Sequence, residues 1–418
     1  MTWSYATHYK CDDCKNIFPL NNTKMNLCPN CNGLMEVIYD LNKLKKQREQ
    51  KDFKTRKRSI WRWHEFLPLK NESNIVSLGE GDTPLIKSNF IAKKLGLKNL
   101  YLKNETLMPT GSFKDRGFSL AISFAKELGI SKGVTYSSGN AGMSFSTYAN
   151  RTNMKSLTLI EYLANPLKKS LIKLYGGNGI TLNYNSMNEI TSLLEEINTK
   201  LNLYQFVNFI NPIRHDAMKT YAYEISEELD WKNPDYMIHP VGTGGGLWGA
   251  WKGFNELYEL GWIPSLPKMV AVQPSVTGPY VKAFKRGHNI VTKVGDSTKT
   301  IAQSISADAP IKDGKRILSA LYNSNGIAEE VSENEIKVAI KDLGKEGMIA
   351  DPASAATIAG LKKLVEHNQI SSEASIVCII TGTGLKQPKL MEELNSNSLK
   401  TINADINDFI KLLKDDLS

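Results

Sequence analysis

The sequence predicts an α/β protein built on parallel sheets, and two observations carry that expectation. Short apolar runs at Gly133-Val134-Thr135-Tyr136, Ser156-Leu157-Thr158-Leu159-Ile160, Tyr236-Met237-Ile238 and Met269-Val270-Ala271-Val272 are each followed by an amphipathic stretch of helix length. Strands alternating with helices of about 10 to 15 residues are the pattern of parallel layers. The loops rich in glycine and small polar residues fall directly after such runs and open the next helix. In parallel sheets ligands collect outside the carboxyl ends of the strands, so these loops are where chemistry is expected.

The chain of 418 residues has room for about two or three domains and a sizeable core. Its 41% hydrophobic and 23% charged residues are ordinary globular usage, which argues against disorder. No apolar run approaches the roughly 20 residues that span a bilayer, and the N-terminus lacks a secretory apolar core. A soluble, cytoplasmic protein with no membrane partner is expected.

Taken in order, the chain opens with Cys11-x2-Cys14 and Cys28-x2-Cys31, thirteen residues apart. Two such pairs can close a tetrahedral Zn²⁺ site with no open position, a structural rather than catalytic metal. Two disulfides are the alternative, but the missing leader and the lone Cys378 argue against an oxidising compartment. Cys378, in the apolar run Ile376 to Ile380, reads as core, and His8 as a surface histidine. A basic segment follows, from Lys43 to Arg62, which carries much of the formal charge of +9. Such a run is usually a solvated helix or linker, although it could attract anions or nucleic acid. Trp61, Trp63 and Phe66 at its end are expected to dock it on the body.

After the strand-like run Leu100-Tyr101-Leu102 comes Gly111-Ser112-Phe113-Lys114-Asp115-Arg116-Gly117, with a lysine at a helix mouth. Burial near a helix N-terminus disfavours an ammonium, and an uncharged amine can form an imine with an aldehyde such as pyridoxal phosphate. Strand, glycine turn and helix entry is also a common structural unit, so the other loops must decide. Ser137-Ser138-Gly139-Asn140-Ala141-Gly142 lets backbone N–H groups reach a carboxylate or phosphate at a helix start, with Asn140 as a further donor. An ordinary capped helix has the same composition. Gly242-Thr243-Gly244-Gly245-Gly246 brings backbone close to a ligand or takes positive φ. Gly244, Gly246 and Gly249 match a dinucleotide fingerprint, yet the next strand ends at Gln273-Pro274 with no acid to hold a ribose, and no Walker lysine is present. A phosphate monoester such as that of pyridoxal phosphate fits better. Thr381-Gly382-Thr383-Gly384 caps the run Ile376 to Ile380, and a threonine hydroxyl there can meet a pyridine nitrogen without fully protonating it. A neutral ring favours elimination and replacement over transamination. The last stretch, Thr401 to Leu417, places Ile402, Ile406, Phe409, Ile410, Leu412 and Leu413 as in a packed closing helix.

Together and in this order these loops resemble the fold-type-II pyridoxal-phosphate enzymes, whose fold is tryptophan synthase β-like, and most closely the threonine synthase family. The likeness runs from about Ser77 to Pro388, opening at Gly79-Glu80-Gly81-Asp82-Thr83-Pro84-Leu85. Its most specific parts are Lys103-Asn104-Glu105 and Pro109 to Gly117. The resemblance implies pyridoxal phosphate as cofactor, Lys114 as its imine lysine and proton carrier, Asn140 at the ring hydroxyl, Gly242, Thr243, Gly244, Gly245 and Gly246 around its phosphate, and Thr381 at the ring nitrogen. It implies O-phosphohomoserine and water as reactants and threonine and phosphate as products. Phe206-Val207-Asn208-Phe209-Ile210-Asn211-Pro212-Ile213-Arg214 resembles the substrate-phosphate segment, with Asn208 and Arg214 in that task and Ser137 and Ser138 as further contacts. A four-cysteine ribbon is found in some prokaryotic members, so no nucleic acid partner is inferred. A homodimer is the expected assembly. Ala141 stands where the family usually has threonine, Thr243 where it has asparagine, and Asp351 where it has glutamate. The glycine loop looks more like that of threonine dehydratases and β-replacing synthases. A β-replacement or β-elimination enzyme acting on phosphoserine, serine or threonine therefore stays open. The expected organisation is a zinc ribbon over 1–40, a basic linker over 41–76 and a catalytic region over 77–418, with a smaller α/β subdomain at about 113–215.

Overall fold

A computed structural model describes residues 2–22, 26–137, 139–162, 164–183, 187–394 and 404–416. At its N-terminus β1 (Ala6–Cys11), β2 (Ile17–Pro19) and β3 (Met35–Tyr39) form an antiparallel ribbon in the order β2-β1-β3. Cys11 stands opposite Met35 in the register, so the first cysteine knuckle begins where the long hairpin ends. In chain order the other strands are β4 (Leu85–Lys87), β5 (Asn99–Asn104), β6 (Lys132–Tyr136), β7 (Lys155–Glu161) and β8 (Asn178–Leu182). They continue with β9 (Tyr204–Gln205), β10 (Tyr236–Pro240), β11 (Lys268–Pro274), β12 (Ile327–Val331) and β13 (Ser375–Ile380).

Two sheets carry the body. The larger runs β12-β11-β10-β13-β5-β4 and is parallel except for β4, which pairs antiparallel with β5 at the edge. The smaller runs β8-β7-β6-β9 and is parallel throughout. The expected α/β class with parallel layers is what forms. The reason is visible in β13, where Ile376 to Ile380 are wholly buried. A strand covered by helices on both faces reads as a continuous apolar run rather than an alternating one.

The basic segment is not a free linker. Phe53 and Phe66 pack against Trp262, with ring centroids 5.6 and 5.9 Å apart, and Phe66 lies 4.5 Å from Tyr223. Arg48 and Arg56 both pair with the fully buried Glu65, at 2.6 and 2.7 Å. Burial would raise that carboxyl, but the hydrogen bonds and charges of Arg56, His64 and Arg48 hold it below its ordinary value. Arg62 is buried as well and pairs with Glu227 and Asp82. Arg48, Arg56 and Arg62 are thus engaged internally, while Lys43, Lys45, Lys46, Lys51, Lys54, Lys57 and Arg58 stay exposed as in a solvated run, and Trp61, Trp63 and Phe66 are buried.

The closing helix forms over Ile406–Asp416, but its apolar face is not packed as expected. Ile406, Phe409 and Ile410 are exposed. The 3.6-residue period specifies a helix with one apolar side; what covers that side is a tertiary matter that periodicity does not contain. Thr401, Ile402 and Leu417 lie outside the described residues. No helix among the described residues is long and apolar enough to cross a membrane.

Candidate active site

Three neighbouring strands of the large sheet deliver three of the predicted loops to one place. β5, β13 and β10 lie side by side and parallel. Their carboxyl ends lead into the lysine heptad, into Thr381 and into the glycine loop. The small sheet repeats the device: β6, flanked by β7 and β9, ends at the Ser137 loop, while β9 leads into Asn208 and Arg214 and β7 into the turn before the helix Pro166–Leu174.

The heptad is fastened to the end of β13 through the backbone. Phe113 N donates to Thr381 O at 2.9 Å, Thr383 N to Gly111 O at 3.0 Å, and Ser112 pairs with Gly382. Lys114 opens the helix Lys114–Glu127 and its Nζ lies 4.0 Å from the Phe113 ring centroid. Burial, reinforced by the Arg214 cation and opposed by Asp351, pulls its ammonium down to about 7. Beneath it, the Phe113 ring packs edge-on to His239 with centroids 5.7 Å apart. His239 is pushed down to about 4, first by burial, so the ring is neutral. Its Nδ1 lies 2.9 Å from Pro240 O, which assigns the proton to Nδ1 and leaves Nε2 buried without a partner.

The glycine loop has the close approach that its composition anticipates. Gly244 takes φ +93°, and a Cβ there would lie 2.3 Å from Ile317 Cδ1; one at Gly246 would lie 2.3 Å from His239 Nε2. Side chains at either position would collide, so the loop stays bare and opens the helix Gly245–Leu260 with its N–H groups free for an anion. Asn208 reaches this loop from the small sheet and donates to Thr243 Oγ1. Asn140 Nδ2 lies 3.5 Å from Asp351 Oδ2, and its Oδ1 is buried with no partner. Asp351 caps the helix Pro352–Glu366 by accepting from Ser354 N at 2.8 Å and Ser354 Oγ at 2.7 Å. Ser354 Oγ in turn lies 3.1 Å from Thr381 Oγ1. Contacts thus link the Lys114 turn, Asn140 and Thr381 through Asp351, Ser354 and the end of β13, while Asn208 ties Thr243 to the small sheet. Ser137 Oγ accepts from Gly139 N at 3.2 Å. Ser138 lies outside the described residues.

Two buried cations, Arg214 and Lys168, stand near these loops. Arg214 is 3% exposed, its Nη1 donates to Phe206 O at 2.5 Å, its guanidinium lies 4.2 Å from the Phe118 ring centroid, and its Nε has no partner. Burial pulls it down to about 9. Lys168 is also 3% exposed; its backbone N donates to Asn165 Oδ1 at 3.4 Å, and its amine forms no salt bridge among the described residues. A Cβ added at Gly139 would lie 3.3 Å from its Nζ, which puts the amine beside the Ser137 loop. Buried charges are normally paired, so two buried cations without a carboxylate partner among the described residues suit a receptor for anions.

Sequence reading did not find Lys168. The loop after β7 has no glycine pattern to mark it, although the rule that ligands gather at carboxyl ends applies to it equally. It also missed Asp115, which accepts from Thr110 N and Oγ1, both at 2.7 Å, and is pushed up to about 6 by burial. Lys386 joins the same turn by donating to Gly111 O at 2.9 Å.

An aldehyde cofactor bearing a phosphate fits these residues: an amine lowered to about 7, an orphaned amide oxygen at Asn140 and a cradle that side chains would fill. At the other end, the sulfurs of Cys11, Cys14, Cys28 and Cys31 lie within 4.8 Å of one another, two pairs at 3.5 Å, and none forms a disulfide. Sulfurs about 2.3 Å from a tetrahedral Zn²⁺ stand roughly 3.8 Å apart, so this donor set fits that ion.

Residues 76–382 match the family model described as pyridoxal-phosphate dependent enzyme. The chain is 39% identical to the threonine synthase of Methanocaldococcus jannaschii, over 92% of this chain and 94% of that one. It is 36% identical to the threonine synthase of Methanosarcina acetivorans, over 91% and 93%. Among solved structures it is similar to threonine deaminase isoform 2 from Solanum lycopersicum, with a TM-score of 0.63 and 21% identity over 79% of this chain and 91% of that one. Maize serine racemase superposes with a TM-score of 0.63 and 21% identity over 75% and 92%. At that identity the two structures speak to the fold alone.

Proposed function

We propose, from the premise that the chain belongs to the pyridoxal-phosphate dependent enzymes and to the threonine synthases among them, that it converts O-phosphohomoserine and water into threonine and phosphate. The observation that supports this substrate is a pair of buried cations, Arg214 and Lys168, that have no salt bridge among the described residues and come from the small-sheet side, while the large-sheet side offers a glycine cradle for a second phosphate. Two anion sites suit a phosphorylated cofactor and a phosphorylated substrate. Pyridoxal phosphate, when bound, supplies the electron sink that lets protons leave the substrate carbon chain. The protein supplies the rest. The Gly242 to Gly246 backbone and Thr243 hold the cofactor phosphate, with Asn140 and Thr381 at the ring. Arg214, Asn208 and Lys168 hold the substrate phosphate with charge-assisted hydrogen bonds. The loop from Ser137 to Gly142 holds the carboxylate. Lys114, uncharged above about pH 7, takes and returns protons at Cα and Cβ. Incubation with O-phosphohomoserine should release threonine and phosphate in equal amounts. Turnover of serine, phosphoserine or threonine with no phosphate from O-phosphohomoserine would replace this with the β-elimination or β-replacement reading.

A pH dependence follows from Lys114. Its amine is charged below about 7 and free above it, so uptake of pyridoxal phosphate by apoprotein should accelerate about tenfold per pH unit below that value and level off above it. Stopped-flow absorbance from pH 5.5 to 9 measures this. A midpoint near the ordinary lysine value would contradict the buried environment.

The four cysteines hold a structural zinc. Metal analysis of protein purified without chelator should give one zinc per chain, falling to none in a Cys11→Ser, Cys28→Ser variant. Equal metal content in both would rule the site out.

A further inference from the structure

Arg214 rides on a helix of only five residues, Pro212–Asp216, which cannot hold its place by intrinsic helix stability. The two residues that follow Arg214 are tied to the N-terminal ribbon, Asp216 directly and His215 through Arg316. Asp216 accepts a hydrogen bond from Tyr39 at the end of β3 and pairs at 2.8 Å with Lys252, which also donates to Val37 O of β3 at 2.5 Å. His215 Nε2 lies 3.0 Å from Arg316 Nη1. His215 is held well below its ordinary value, first by burial and then by Arg316 and other cations, so it is neutral and accepts from the guanidinium. Arg316 is bound to the ribbon in turn. It pairs with Asp12, Nη2 to Oδ1 at 3.0 Å, and donates to Met35 O at 2.8 Å. Asp12 directly follows Cys11, so its carboxylate is placed by the first cysteine knuckle.

The same guanidinium oversees Asn208. It lies 5.8 Å from the Phe209 ring centroid, and that ring lies 5.4 Å from His215. Phe209 takes φ +62°, a left-handed conformation that a bulky residue holds only when its surroundings impose it. Asn208 and Arg214, at the two ends of one short segment, are therefore both set by contacts that converge on Arg316.

We propose that the ribbon is a positioning element for substrate recognition: Asp12, through Arg316 and His215, and Tyr39, through Asp216, hold the segment from Asn208 to Arg214 in the geometry that grips the substrate phosphate. Arg316 is a positioning residue that acts through Arg214 and Asn208 and touches neither reactant. This rests on Arg214 as the phosphate arm, so the test separates the two ideas. Holoenzymes of full length carrying Asp12→Asn, Arg316→Met or Arg214→Gln are compared with the parent. The readouts are KM for O-phosphohomoserine, kcat, competitive inhibition by inorganic phosphate, and the absorbance of bound cofactor. Asp12→Asn and Arg316→Met should each weaken phosphate inhibition and raise KM by about tenfold, with kcat and the cofactor band little changed. The double variant should do no worse than Arg316→Met alone, because both break one path. An unchanged KM in Arg316→Met, where Arg214→Gln raises it, overturns the ribbon's role and leaves the arm intact. An unchanged KM in Arg214→Gln overturns the arm itself. Loss of cofactor band and kcat together with KM reduces the contact to general stability and also overturns the proposal. Should Arg316→Met not fold, Asp12→Asn, which keeps the shape and leaves Arg316 in place, decides on the same readouts.

Discussion

Purified Lys114→Ala protein is expected to lose the visible absorbance band of bound cofactor and to turn over O-phosphohomoserine at least roughly 10³-fold more slowly than the parent. The size of the effect comes from two roles meeting in one atom. In the proposed role, the amine that would anchor the cofactor is also the group placed to move protons at Cα and Cβ, so deleting it would remove attachment and acid–base catalysis together. The surroundings are built for both roles. Burial and the Arg214 cation bring the amine to about 7, where it can be charged or free at modest cost. The backbone ties from Phe113 to Thr381 and from Thr383 to Gly111 hold the helix mouth against the end of β13. Lys114→Arg keeps the charge but cannot form the imine, and should be as inactive as the alanine variant. A retained band in either variant, read by absorbance from 350 to 500 nm, would assign the cofactor to another amine, and the buried Lys168 and Lys386 are the ones to replace next.

The parts of this site that were legible in the sequence are those whose signal is local. Lys114, the Ser137 loop, the glycine loop and Thr381 each sit where an apolar run gives way to small residues and a helix, so a window of about ten residues contains the evidence. The cysteine pairs are legible for the same reason, since each knuckle is a four-residue pattern. What escaped is contact between segments far apart in the chain. Asp12 meets Arg316 across 304 positions of chain and Tyr39 meets Asp216 across 177, and nothing in either partner's neighbourhood marks it. Lys168 is a lysine in an amphipathic helix, which in sequence is indistinguishable from a surface charge; only its burial sets it apart. The exposed face of the helix Ile406–Asp416 is the converse case, a local pattern that predicts the element and not its packing.

Arg116 lies two residues beyond Lys114, and Arg116→Leu is expected to cost about 3–5 kcal/mol of stability, the usual consequence of breaking a fully buried ion cluster from one side. Its guanidinium is wholly buried and makes a double fork. Nε and Nη2 donate to Glu105 at 2.8 and 2.7 Å, while Nη1 and Nη2 donate to Glu224 at 2.5 and 2.7 Å. Nη1 also donates to Thr220 Oγ1 at 2.7 Å, and the Tyr221 ring covers the plane with its centroid 4.6 Å away. On the far side Lys103 pairs with Glu224 at 3.0 Å and with Glu228 at 2.7 Å. Burial would raise the Glu224 carboxyl, yet Arg116 and Lys103 hold it well below its ordinary value. Leucine would fill part of the space and leave Glu105 without its cation, and Glu224 with Lys103 alone. One of the two carboxyls must then take up a proton or drag water inward. Urea unfolding followed by tryptophan fluorescence should show the lower midpoint, and the loss should shrink as pH falls toward the range where buried carboxyls protonate. Arg116→Lys should recover only part of it, because an ammonium cannot make two parallel pairs of bonds at once. A midpoint equal to the parent's would mean that the cluster is not what holds the start of the Lys114 helix to the helix Thr220–Glu228, and that the bond from Phe113 to the end of β13 suffices by itself.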